Sequence, residues 1–163
     1  MAHKGMDVYL HDHLGGATLG AELADQIGEY GEGTALADIM VTLRAEIEED
    51  RRTLLELMDR LDAGQHPVKQ ATGWLAEKAS RVKFSGLTSG DRDHGLFMAL
   101  EILALGVQGK RSLWVALREV RADHPPLAAL DLDALILRAE KQYATLEPER
   151  VAAGRRALAA GVD

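Results

Sequence analysis

The sequence contains no cysteine, and this absence excludes disulfide bonds, thiol catalysis and zinc–thiolate sites. Aromatic residues make up only 4% of the 163 residues, whereas hydrophobic residues make up 47%. The apolar surface therefore comes mainly from leucine, alanine, isoleucine and valine. Because leucine and alanine favour helices over strands, the composition predicts an all-α protein.

Long apolar runs are also missing from the sequence. The first residues, MAHKGMDVYLHDH, contain no apolar stretch of signal-peptide length, and nowhere do about 18 apolar residues follow one another. The formal net charge of −7 opposes binding to a nucleic-acid backbone, which needs concentrated lysine and arginine. We therefore expect a cytoplasmic protein with neither a membrane nor a nucleic acid as partner.

Apolar residues recur at steps of three and four along most of the chain, which is the spacing of amphipathic helices. The predicted helices span approximately residues 6–30, 34–62, 68–82, 91–120 and 130–146. Thr34 is the expected cap of the second helix. Pro148 is expected to start a separate terminal helix, because proline is tolerated in a first helical turn.

These helices predict one helical-bundle domain over residues 1–163, with a core bundle at about 6–147 and a tail at 148–163 that we expect to fray. Residues that recur on the apolar stripe of each helix are predicted to form the core. They are Leu43, Ile47, Leu54, Leu57, Leu100, Leu103, Val107, Leu113, Leu132, Ile136 and Leu146.

Glycine is concentrated at two places within predicted helices. Gly15, Gly16 and Gly20 leave little side-chain bulk in the middle of the first helix, so a neighbouring helix could approach closely. Gly106 and Gly109 are interpreted as a kink or a close helix contact. The alternative is that the space left by the first helix accommodates a small ligand.

Asp50 occupies a seam position of the second helix where the flanking pattern calls for leucine. A buried carboxylate needs a partner, because an unpaired charge is expensive to remove from water. Counting outward from the turn near Glu32 places Asp50 level with His13, which is the first choice of partner, and Lys110 is the second. Alternatively, the helix rotates enough to expose Asp50.

The order of these helices is two long helices, a short crossover helix and two more long helices, with carboxylates in mid-helix. This order is typical of a four-helix bundle with one crossover connection, and over most of residues 6–147 the chain resembles the ferritin-like superfamily. The resemblance implies a ferritin-like bundle with a short crossover helix and a helical C-terminal tail. It also implies an interior site in which carboxylates and imidazoles hold two iron ions.

The sequence departs from that site, because no Glu-x-x-His motif occurs in it. Three glutamates remain as candidate metal ligands: Glu22, Glu46 and Glu101, which helix counting places at one level of the bundle. We expect arginine or lysine to neutralise them, as a relic of a metal site. The alternative is a carboxylate-only site that binds iron or manganese.

The leading functional hypothesis is therefore a non-catalytic, ferritin-like binding, scaffold or stress-associated protein, without a cofactor and assembled as a homodimer. A carboxylate-bridged metal-binding oxidase or iron-handling protein is the first alternative. A small-ligand carrier is the second.

Overall fold

The computed structural model describes residues 4–63 and 91–159, which form four long α-helices and one short 3-10 helix. The long helices are α1 (Lys4–Tyr30), α2 (Ala35–Arg60), α3 (Arg92–Glu119) and α4 (Leu132–Ala159), and the 3-10 helix is Pro125–Ala129. The predicted all-α class is confirmed. The predicted helix over residues 68–82 lies outside the described residues.

The long helices pack as two hairpins, α1 with α2 and α3 with α4, joined mainly through α1 and α3. Leu36 and Leu96, near the starts of α2 and α3, belong to one apolar cluster, and Leu57 and Leu117, near their ends, belong to the other. Helices α2 and α3 therefore run parallel. The end of α2 and the start of α3 lie at opposite ends of the bundle.

Short polar side chains define where the helices begin. Asp91 accepts a hydrogen bond of 3.0 Å from the His94 backbone N–H, and Asp131 accepts one of 3.0 Å from that of Ala134. Both carboxylates satisfy donors that have no partner within the helix. Thr34 precedes α2 as expected, but its hydroxyl donates to the Gly31 carbonyl at 2.6 Å instead of capping the helix.

Helix α4 continues through Pro148 to Ala159, so the prediction of a separate terminal helix is wrong. Tertiary packing holds the segment beyond the proline: Ala153 is fully buried, and a Cβ on Gly154 would lie 2.9 Å from the Phe97 ring. The missing side chain lets α3 approach α4 at this point. This contact opposes the fraying expected of the tail.

The core predicted from the apolar stripes is confirmed, because every residue named for it is buried. The buried side chains form two clusters, one toward each end of the bundle. Asp50 of α2 lies where the two clusters meet, because Ile47 belongs to one and Leu54 to the other. Among the described residues, Asp50 and Gln142 of α4 are the polar side chains that are buried. No described helix has the length and apolar character required to cross a membrane.

Candidate functional site

A charged cluster is buried where the middle of α2 faces α3 and α4. Asp50 is 2% exposed, and its Oδ2 accepts a hydrogen bond of 2.6 Å from Lys110 Nζ. Its Oδ1 lies 2.6 Å from Arg138 Nη2, in ionic contact without hydrogen-bond geometry. Lys110 also donates to Gln142 Oε1, and Gln142 Nε2 donates to Glu46 Oε2 at 2.9 Å. Three helices thus share one polar network.

The burial of Asp50 agrees with the sequence prediction, but His13 as its partner is wrong. Lys110, the second choice, is a partner, and Arg138 is a partner that was not predicted. Burial lowers the pKa of His13, although Asp12 acts in the opposite direction. Two fixed positive charges compensate a buried carboxylate better than an imidazole that burial keeps neutral.

Lys110 is more deeply buried than Arg138, the other cation beside Asp50. Burial lowers the pKa of its ammonium below the usual range, and Asp50 opposes this change through its charge and its hydrogen bond. Asp50 and Gln142 fix the direction of the ammonium group from two sides. This geometry suits a structural ion pair.

The three glutamates named as metal candidates have separate environments. Glu22 is exposed, Glu46 binds the Gln142 amide, and Glu101 lies 3.2 Å from Arg150. Among residues 4–63 and 91–159, no three histidine, aspartate or glutamate side chains are placed to hold a metal ion. The levelling of these glutamates by helix counting therefore does not bring them together as a metal-ligating group.

A cavity of about 300 Å³ lies between α1 and α3, beside the charged cluster. Ile47 and Leu54 of α2 contribute to its mainly apolar lining, and Lys110 and Asp50 contribute polar atoms. Leu105, which is 46% exposed, also lines the cavity and marks its opening to solvent. The cavity therefore extends from the surface to the buried cluster.

Glycines of both helices face this cavity. A Cβ built on Gly16, Gly106 or Gly109 would have no neighbouring atom within 4 Å. Of the two interpretations of Gly106 and Gly109, the close helix contact is thus wrong, because these residues border open space, and the kink stays a prediction. Gly28 differs, since its Cβ would lie 3.3 Å from Met40 Cβ. The cavity glycines keep space open, although each costs a helix about 1 kcal/mol relative to alanine.

Polar side chains on the cavity wall come from α1, α2 and α3. His13 and Asp12 lie on α1, Arg51 on α2 and Trp114 on α3. Arg51 Nε donates to Thr18 Oγ1 at 3.3 Å. Trp114 is 1% exposed, and its indole Nε1 has no hydrogen-bond partner among residues 4–63 and 91–159. These groups give an apolar cavity a few directional polar contacts, which is typical of ligand sites.

The stability of the protein is expected to fall in mild acid through His13. Because burial lowers its pKa, the unfolded chain takes up a proton near pH 6.5 before the folded chain does. The stability contribution is therefore complete above that pH and is lost as the pH falls through the folded-state pKa. Urea denaturation at several pH values between 8 and 5 measures this loss. His13→Gln should reduce the slope of the unfolding free energy against pH. An unchanged slope in the variant would contradict this assignment.

The glycine-lined cavity and the network beside it thus form the candidate site. Comparison of the chain with protein-family models, with curated proteins and with solved structures gave no match.

Proposed function

We propose that this helical bundle is a non-catalytic binding protein for a small, mainly apolar ligand, held in the cavity between α1 and α3. The observation that carries the proposal is the set of glycines bordering the open space, Gly16, Gly106 and Gly109. Alanine would fit at each of them and would favour the helix. Residues that weaken two helices without improving their packing are explained by the space that they leave.

The size of the cavity supports a ligand of one or two rings. Its volume of about 300 Å³ is roughly twice the ~150 Å³ of an apolar cavity that takes up benzene. The nearby charged groups favour binding over chemistry, since Lys110 and Asp50 are already paired with each other. Apolar burial would supply most of the affinity, at about 25 cal/mol per Å² of surface removed from water.

The test is Gly106→Leu, which places a side chain in the cavity without displacing an atom near the Cβ. The variant should lose binding of an uncharged naphthalene-based dye while its unfolding free energy stays equal or rises, by up to about 1 kcal/mol. Dye fluorescence measures binding, and urea denaturation measures stability. Loss of binding with retained stability excludes unfolding as the cause.

The matched control is Gln108→Leu, which adds a leucine to the same helix at an exposed position that does not line the cavity. This variant should bind the dye like the unmodified protein. Equal binding by all three proteins, or no binding by any of them, would contradict the proposal.

We further propose that the bundle is a degenerate ferritin-like structure in which the charged cluster around Asp50 and Lys110 replaces a metal site. The parallel course of α2 and α3 supports this, because a crossover bundle requires it. The Lys110 ammonium, placed among the oxygens of Asp50 and Gln142, supplies a cationic charge at the centre of the bundle. Elemental analysis after purification without chelator tests this proposal, and stoichiometric iron or manganese would overturn it.

A further inference from the structure

Trp114, a residue that lines the cavity, carries a buried hydrogen-bond donor that no described residue pairs. Its side chain is 1% exposed, and the indole Nε1 has no hydrogen-bond partner within the described part of the chain. Buried indole N–H groups usually find an acceptor, because leaving one unpaired forfeits the hydrogen bond that water supplies in the unfolded chain. A bound molecule with an acceptor atom could provide the missing bond.

The charges along the cavity wall oppose an anionic ligand. Lys110 lies 2.6 Å from Asp50, and Arg51 lies 3.6 Å from Glu48, so both cations already contact carboxylates. Asp12 adds a further negative charge to the wall. An acid entering this cavity would lose its hydration and meet carboxylates, which costs more than the transfer of a neutral molecule.

We infer that the ligand is an uncharged, largely apolar molecule with a hydrogen-bond acceptor, such as a ketone, aldehyde or ester, and that Trp114 Nε1 donates to this acceptor. The inference rests on the proposed function, since it assigns a ligand class to the same cavity. It gives Trp114 a role in specificity, while the glycines and leucines of the wall provide the space.

The test compares three probes with the same bicyclic body: naphthalene, 2-acetonaphthone and 2-naphthoate. By equilibrium dialysis at pH 7.5 the ketone should bind about ten-fold more tightly than the hydrocarbon, because it pairs the buried donor. The carboxylate should bind most weakly. In Trp114→Phe the preference for the ketone over the hydrocarbon should disappear. Comparing two probes within each protein cancels the change in cavity shape.

A second measurement does not depend on the folding of that variant. The chain has two tryptophans, so Trp74→Phe leaves Trp114 as the only source of an indole N–H resonance. The ketone should move that resonance downfield in a proton–nitrogen spectrum, as hydrogen bonding requires. Naphthalene should not.

The outcomes separate this inference from the proposed function. If none of the probes binds, the proposed function fails. If hydrocarbon and ketone bind equally, or the indole resonance responds to both alike, the cavity binds apolar molecules but the role of Trp114 is wrong. Tightest binding of the naphthoate would overturn the uncharged class.

Discussion

Replacing Asp50 with alanine is expected to lower the free energy of unfolding by about 3–5 kcal/mol. The substitution removes the carboxylate from between Lys110 and Arg138, whose side chains are 12% and 24% exposed. Both cations then remain largely out of water without their shared counter-ion. Urea denaturation of the variant and of the unmodified protein measures the difference.

Asp133→Ala is the matched control, because it also removes an aspartate from a close ion pair. Asp133 lies 2.8 Å from Arg118, but its side chain is 75% exposed, so its loss should cost less than about 1 kcal/mol. A similar small loss at Asp50 would show that the buried network is not coupled to folding.

A double replacement tests what the buried pair is for. Asp50→Leu combined with Lys110→Met removes both charges and keeps apolar volume, so most of the stability should return. Arg138 would retain Glu49, whose Oε1 lies 2.7 Å from its Nη1. If the double variant is stable but loses a single well-ordered packing in its NMR spectrum, the pair serves to fix the register of α2 against α3 and α4.

The helices could be predicted from the sequence because the helical spacing of apolar residues is regular and is visible within each segment by itself. Leu43, Leu54 and Leu57 recur at steps that only a helix places on one face, and the structure buries all three. The same period identified Asp50 as a polar residue in an apolar stripe. One-dimensional spacing is sufficient for features that depend on a single helix.

Contacts between different helices were harder to predict from the sequence. Lys110 and Arg138 lie 60 and 88 positions from Asp50 along the chain, and their distance depends on how three helices rotate about their axes. The role of Gly106 also depends on where the neighbouring helix lies, since glycine is compatible with a close contact and with an open space. The prediction that a new helix starts at Pro148 was wrong for the same reason. The burial of Ala153 against the bundle outweighs the local tendency of proline to interrupt a helix.

Leu103→Ala is expected to lower the unfolding free energy by about 2–5 kcal/mol, in the upper part of that range. Leu103 is 1% exposed and lines the cavity, so its truncation joins new empty space to the existing 300 Å³. The glycines nearby have no side chains that could move in to fill it, and the cost of a core truncation grows with the cavity that remains. Thermal and urea denaturation measure the loss.

The control for Leu103→Ala is Leu137→Ala, the same substitution at a position on α4 that is 50% exposed. It should change stability by no more than about 0.5 kcal/mol. A loss below about 1 kcal/mol at Leu103 would mean that the cavity wall collapses and that the cavity is not a fixed feature of the fold. Saturating 2-acetonaphthone separates packing from function. A ligand that binds only the folded state raises stability with its concentration, so it should recover part of the loss in Leu103→Ala. It should leave the stability of Gly106→Leu unchanged, because the cavity of that variant is filled.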